Sequence, residues 1–132
     1  MSSRRITATD LWQMSRVGQP EPDPAGRFAI VPVTTYDMET NEGTTRLWRL
    51  TTDGSSRALT GADVSSSKPA LAPSGKKVAF VRKPRAEDKP QVHLLPLDGG
   101  EAETLTELPL GVAAAKWLPD ESGLVLAVPL LE

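Results

Sequence analysis

An all-β protein built from repeated four-stranded units is what this sequence predicts, on three observations. Residues 68–106 hold short apolar segments separated by a Pro-Ser-Gly turn, a charged loop and a Leu-Asp-Gly-Gly turn, and close on Leu-Thr. The stretches on either side carry partial copies: Gly26, Gly75 and Gly123 recur in order, as do Asp53 and Asp98, and Leu59 and Leu105, at intervals of about 45–50 positions. Twelve prolines and ten glycines interrupt the chain too often for long helices beyond its start. Four strands per unit of about 40–50 residues is the pattern of a β-propeller blade. The expectation is therefore a β-propeller fragment of about two and a half four-stranded blades behind a short N-terminal helix. Its parts are an extension over 1–20, a first blade over 21–60, a second over 61–108 and the first half of a third over 109–132.

The elements follow in order. Thr7 can cap a helix and Asp10, three residues on, completes a box-like pattern, so a helix over about 8–16 is expected. Its stripe of Leu11, Met14 and Trp12 is too short to hold a helix alone, and Gly18, Pro20, Pro22 and Pro24 end it. RFAIVPVTT at 27–35 has the β-branched content of a strand, and Pro32 predicts an edge or a bulge there. TTRLWRLT at 44–51 sets Leu47 and Arg49 against Trp48 and Leu50, and Asp53-Gly54 reads as a hairpin turn before a short strand over 56–60. The second unit repeats the order with strands at 68–71, 77–82, 91–97 and 102–105. KVAFVR at 77–82 puts Val78, Phe80 and Arg82 on one face, Ala79 and Val81 on the other. A third unit starts with strands at 112–117 and 124–128 around a turn that reads as two residues longer than its counterparts.

Composition narrows the function classes. A chain with 39% hydrophobic and 24% charged residues is that of a folded, soluble protein. A net charge of −2 provides no footprint for nucleic acid or an anionic membrane, and neither partner is expected. Lack of cysteine excludes disulfides, a thiol nucleophile and thiolate metal sites, and fits a reducing compartment. Residues 1–5 are polar and basic with no apolar core behind them, so no secretory signal is read, and a cytoplasmic location is expected.

Several residues were weighed for chemistry, and none carries it. His93, the one imidazole, has no second histidine and no serine elbow to serve, and reads as a strand residue facing solvent or a neighbouring blade. Glu101 with Glu103, and Glu87 with Asp88, lack an apolar wall that would raise a carboxyl pKa, and read as solvated charges. Asp98-Gly99-Gly100 lacks the strand-to-helix context of a phosphate loop and is a turn. Arg4-Arg5 is too short for a nucleic-acid patch. Trp12, Trp48 and Trp117 suit core packing better than a stacking platform. No catalytic, cofactor-binding or metal-ligating residue is assigned, and no cofactor is expected.

A resemblance attaches to these motifs. APSGKKVAF at 72–80 resembles the Ser-Pro-Asp-Gly-Lys-x-x-Ala-Phe motif of TolB-like propellers and of the propellers of the prolyl oligopeptidase family. LDGGEA at 97–102 with Leu105-Thr106 is similar to the blade endings of that family's acylaminoacyl peptidase-like and dipeptidyl peptidase-like members. TDLW at 9–12 with Arg16-Val17 resembles the segment that opens those enzymes. The turn aspartate of the motif is missing at Ala25 and Ser74. The resemblance implies the first part of a propeller that covers the active site of a serine peptidase. It admits short peptides to an α/β-hydrolase domain that carries the Ser-Asp-His triad. This chain has no G-x-S-x-G elbow, so it is expected to be inactive alone, with the hydrolase domain of the same parent chain as its partner. The alternative is a TolB-like or other propeller that acts as an interaction scaffold without an enzyme. If these residues were the complete product, Leu124, Leu126, Val128, Leu130 and Leu131 would leave an apolar blade edge exposed, and self-association is expected.

Overall fold

The computed structural model describes residues 3–85 and 87–131. Met1, Ser2, Ala86 and Glu132 lie outside the described residues. So does part of three stretches read above: the polar start, the charged loop and the end of the third unit.

Helix α1 spans Ala8–Gln13 and starts on the capping box that Thr7 and Asp10 foretell: Asp10 N–H donates to Thr7 Oγ1 at 3.3 Å, and Thr7 N–H to the Asp10 carboxylate at 2.8 Å. Arg4 adds a two-pronged pair to Asp10, both contacts at 2.7 Å, so it braces the helix start instead of standing as a loose terminus. The helix is shorter than the sequence suggests. Met14 is already extended, because Arg16–Val17 is drawn into the sheet as strand β1.

The first blade contains β1, β2 (Glu21–Pro22), β3 (Phe28–Asp37), β4 (Glu42–Thr51) and β5 (Ser56–Ala58). β1 and β2 are two pieces of one inner strand, paired with β3 at Val17↔Val33 and Glu21↔Ile30. β3 is therefore an interior strand, and its ladder to β4 runs without a shift from Phe28↔Thr51 to Asp37↔Glu42. The expectation that Pro32 marks an edge or a bulge in its own strand is corrected. Pro32 C=O accepts from Gly18 N–H at 2.8 Å, so the side on which the proline lacks a donor faces the break between β1 and β2. The irregularity lies in the neighbour.

The second blade is β6 (Ser66–Leu71), β7 (Lys77–Arg82), β8 (Gln91–Pro96) and β9 (Glu103–Thr104), antiparallel in sequence order. β10 (Ala114–Trp117) and β11 (Leu124–Ala127) form a two-stranded sheet that starts a third. The inner strand β6 bulges between Ser67 and Ala70, where Lys68 takes a positive φ of 50°.

The turn after each inner strand shows how the repeat is built. Asp23 N–H donates to Phe28 C=O, Ala72 to Lys77 and Leu118 to Gly123, and each turn has a second bond inside it from Gly26, Gly75 or Glu121. The left-handed position is therefore Gly26 (φ 71°), Gly75 (φ 73°) and Glu121 (φ 61°). This corrects the reading of two extra residues in the third turn. The loop has the same length in all three, and a glutamate replaces glycine where the backbone strain falls. Glu121 has a compensating contact, since its carboxylate accepts Ser74 N–H at 2.9 Å from the preceding blade's turn.

The closing Leu-Thr has an equally direct cause. Leu59 N–H donates to Leu47 C=O and Leu105 N–H to Val92 C=O, both at 2.8 Å. Thr60 and Thr106 hydroxyls then accept the N–H of the same Leu47 and Val92, both at 3.0 Å. The dipeptide thus satisfies both backbone groups of a fully buried residue on the third strand of each blade. Thr106→Val keeps the volume and removes the acceptor. It is expected to cost about 1–2 kcal/mol, as for an orphaned buried N–H, measured by urea unfolding. Loss of less than about 0.5 kcal/mol would mean that another group takes the bond.

The core lies between the sheets. Phe28, Ile30 and Leu47 of the first blade pack on Val78, Phe80, Leu95 and Leu97 of the second. The other face of the second blade, with Ala70, Ala79 and Val92, packs with Val112 on Ala115, Trp117, Leu124 and Leu126 of the third. Leu124 and Leu126 therefore point inward, contrary to their place in the predicted apolar edge. The exposed apolar side chains near that end are Val125, Val128, Leu130 and Leu131.

Candidate functional site

The polar and aromatic side chains singled out in the sequence each take a definite structural place. His93 on β8 is buried, its ring stacked on Phe80 with centroids 5.7 Å apart at 19°. Of its two anticipated settings it takes the neighbouring-blade one, because Phe80, its register partner, faces the first blade. Its Nδ1 lies 3.1 Å from Gln91 C=O and its Nε2 3.2 Å from Thr104 Oγ1, an arrangement that suits the neutral ring with Nδ1–H donating. Burial pushes its pKa down, the Arg82 charge adds to this, and the Gln91 carbonyl opposes it.

A pH dependence follows. The unfolded chain binds a proton near pH 6.5, while the folded chain binds it only at lower pH. Stability contributed by neutral His93 is thus fully present above about pH 6.5 and declines as pH falls below it. His93→Gln is expected to flatten the unfolding midpoint between about pH 6.5 and 5 relative to the parent chain. An unchanged slope in the variant would assign the dependence to other groups.

The remaining weighed residues do not meet. Glu101, Glu103 and Glu87 are exposed, and Asp88 is half-buried in the charged loop. No group of three or more histidine, aspartate or glutamate side chains suited to a metal occurs among the described residues. Trp12 sits edge-on to Tyr36 at 6.1 Å, Trp48 lies under Arg46 at 5.3 Å, and Trp117 packs in the core. Trp117 Nε1–H also donates to Ala70 C=O at 2.8 Å, which ties the third blade to the second.

What the blades do build are clefts at the two ends of the seam between the first and second sheets. At the turn end a cleft of about 480 Å³ is lined by Arg27, Phe28, Arg49, Ser74, Lys76 and Asp98. Arg27 pairs with the buried carboxylate of Asp23 at 2.8 Å and holds it below the usual carboxylate range. Asp23 in turn lies where any side chain on Gly75 would go, 2.7 Å from that position, so the turns of adjacent blades touch. Arg49 lies over the Phe28 ring at 4.3 Å. At the other end a cleft of about 510 Å³ includes Asp63, Ser65, Arg82, Lys83 and Arg85. There burial lowers the Arg82 pKa against the opposing charge of Asp63, and Arg82 Nε–H donates to Ser66 Oγ at 2.9 Å.

The arginines of these clefts were not singled out from the sequence. The available signal was the hairpin at Asp53-Gly54: Asp53 lies midway between Arg49 and Arg57, and they are indeed register partners.

Two sheets of four-stranded blade pattern stacked face to face, with the first two strands of a third beside them, make this chain part of a β-propeller. No family model matches it. It is 31% identical over 128 residues, 96% of its length, to an uncharacterized peptidase, YuxL, of Bacillus subtilis (strain 168), and spans 19% of that protein. Among solved structures it is similar to an acylaminoacyl peptidase of Pyrococcus horikoshii, with a TM-score of 0.73 and 20% identity over 86% of this chain and 17% of that one. It is also similar to the β-propeller domain of the Trilobed protease from Pyrococcus furiosus, which has an open velcro topology. There the TM-score is 0.69 and the identity 16%, over 85% of this chain and 33% of that one. The chain thus has a β-propeller fold like that of these solved structures, and it spans only a part of the length of each protein it matches.

Proposed function

We propose that this chain is the first, non-catalytic part of the propeller of a prolyl oligopeptidase-family serine hydrolase, where it helps to gate substrate access to a hydrolase domain. The observation that carries this reading is the similarity to a peptidase along 96% of the chain, helix included. The helix supports it further. Trp12 packs edge-on to Tyr36 of the blade, while Leu11 on the helix and Ile6 and Met14 flanking it are 53%, 77% and 57% exposed, a surface suited to covering by another domain. Blade boundaries at about 60 and 108 suit the repeat, with the first blade reaching back to β1, and the parent's substrates would be short peptides that pass the propeller. The lack of cysteine suits a reducing compartment such as the cytoplasm. Among the described residues no helix is long and apolar enough to cross a membrane.

The test is to express the complete reading frame that contains these residues beside the 132-residue chain. A fluorophosphonate probe should label the former and not the latter, and only the former should hydrolyse chromogenic acyl-peptides. A complete frame that the probe leaves unlabelled would favour the second reading, a TolB-like interaction scaffold. Inhibitor-sensitive turnover by the short chain would overturn both. The exposed apolar edge near β11 makes the short chain a candidate for self-association, and sedimentation as a stable monomer at micromolar concentration would count against that.

A further inference from the structure

Arg49 and Arg57 stand directly opposite each other on β4 and β5. Side chains at such a pair share a face about 5 Å apart, and like charges there are destabilising. Neither arginine has an ion-pair partner within reach: the ion pairs among the described residues are Arg4 with Asp10 and Arg27 with Asp23. Arg49 Nε, moreover, is the one buried side-chain nitrogen or oxygen among the described residues without a hydrogen-bond partner. A half-buried guanidinium with an unused donor, set against a second guanidinium, is a costly arrangement that a bound anion would relieve.

The surroundings fit such a guest. Arg49 borders two adjoining clefts: the turn-end cleft with Arg27 and Lys76, and a shallower one of about 320 Å³ shared with Arg57 and the hydroxyl-bearing Thr51, Ser55 and Ser56. The Phe28 ring lies 4.3 Å from the Arg49 guanidinium and limits its movement, which favours two-pronged recognition of a planar group. Asp98 on the rim repels a dianion more than a monoanion, so a carboxylate is preferred to a phosphate. Clefts this open suit a peptide's side chains better than an enclosed small molecule.

We propose that the Arg49–Arg57 pair and its two clefts form a recognition site for the carboxylates of an acidic peptide segment. The site rests on this geometry alone and not on the peptidase reading. The chain's net charge of −2 works against unspecific binding of acidic peptides, so affinity must come from a local site.

Calorimetric titration of the chain with hexaglutamate at low salt tests this, with hexaglutamine and inorganic phosphate as comparators. Saturable, salt-sensitive binding of hexaglutamate is expected, with no binding of hexaglutamine and no displacement by an equal concentration of phosphate. Arg49→Gln and Arg57→Gln should each weaken it by at least about tenfold, and Arg49→Lys should do so partially. Arg57 is exposed and its loss relieves repulsion, so its variant should keep the parent's circular dichroism with an unfolding midpoint no lower than the parent's, and the test stands even if the Arg49 variants fold poorly. The proposal is overturned by absent binding at low salt, by binding that a folded Arg57→Gln leaves unchanged, or by phosphate displacing the peptide at equal concentration.

Discussion

Replacing Phe80 with alanine is expected to lower the unfolding free energy by about 3–5 kcal/mol, the usual cost of emptying a large aromatic site in a core. Phe80 is completely buried and belongs to the layer in which residues of two blades meet. Its ring also stacks on His93 and lies 5.0 Å from the Arg82 guanidinium. Removing it thus opens a cavity against Phe28, Ile30 and Leu47 and takes away the apolar cover of two groups that can carry charge. Blades are sheets that each rely on a neighbour, so the cavity cannot be closed by shifts within one sheet. Phe80→Leu should cost about 1.5 kcal/mol or less because most of the volume remains. Urea midpoints of the two variants check this. A cost below about 1 kcal/mol for Phe80→Ala would mean that the first and second blades do not depend on this layer.

Trp117→Ala is expected to cost about 2–4 kcal/mol, toward the lower part of the range for large aromatics because the side chain is only half-buried. Its loss removes cover from Ala70, Ala79 and Val92, the hydrogen bond to Ala70 C=O, and the ring beneath Lys77 Nζ at 5.1 Å. Trp117→Phe separates the contributions: it keeps most of the apolar contact and loses the hydrogen bond, for about 1 kcal/mol. The effect should also be local. Amide exchange in β10 and β11 should quicken in Trp117→Ala far more than in β7 and β8, because the third sheet has two strands and leans on the second. Equal loss of protection in all sheets would refute the view that Trp117 is the attachment of the third blade.

The legible part of this protein was the part governed by local chemistry. KVAFVR alternates with period two, and its faces divide as read: Val78 and Phe80 toward the first blade, Ala79 toward the third. The Thr7–Asp10 box needs only the spacing of two side chains on one turn, and it formed. Pro32 is not legible locally, because its tolerance depends on a break in another strand, which no local rule describes. The third turn was misaligned because glycine was followed as the marker, whereas the structure keeps the turn's hydrogen bonds and lets Glu121 occupy the strained position. That substitution becomes intelligible only once Ser74 of the neighbouring turn is seen to supply the partner.

The same division holds for the site. By itself the sequence determined that this is a repeat of short strands and that its units close on Leu-Thr, since periodicity and motif spacing depend on neighbours a few residues away. Tertiary structure alone decided that His93 is buried against Phe80, that Leu124 and Leu126 face inward, and that Arg49 is half-buried with its Nε unpartnered. Each of these depends on which blade covers which face and on hairpin register. Those are set by packing between segments distant in the chain, where the free energy of burial outweighs any local preference.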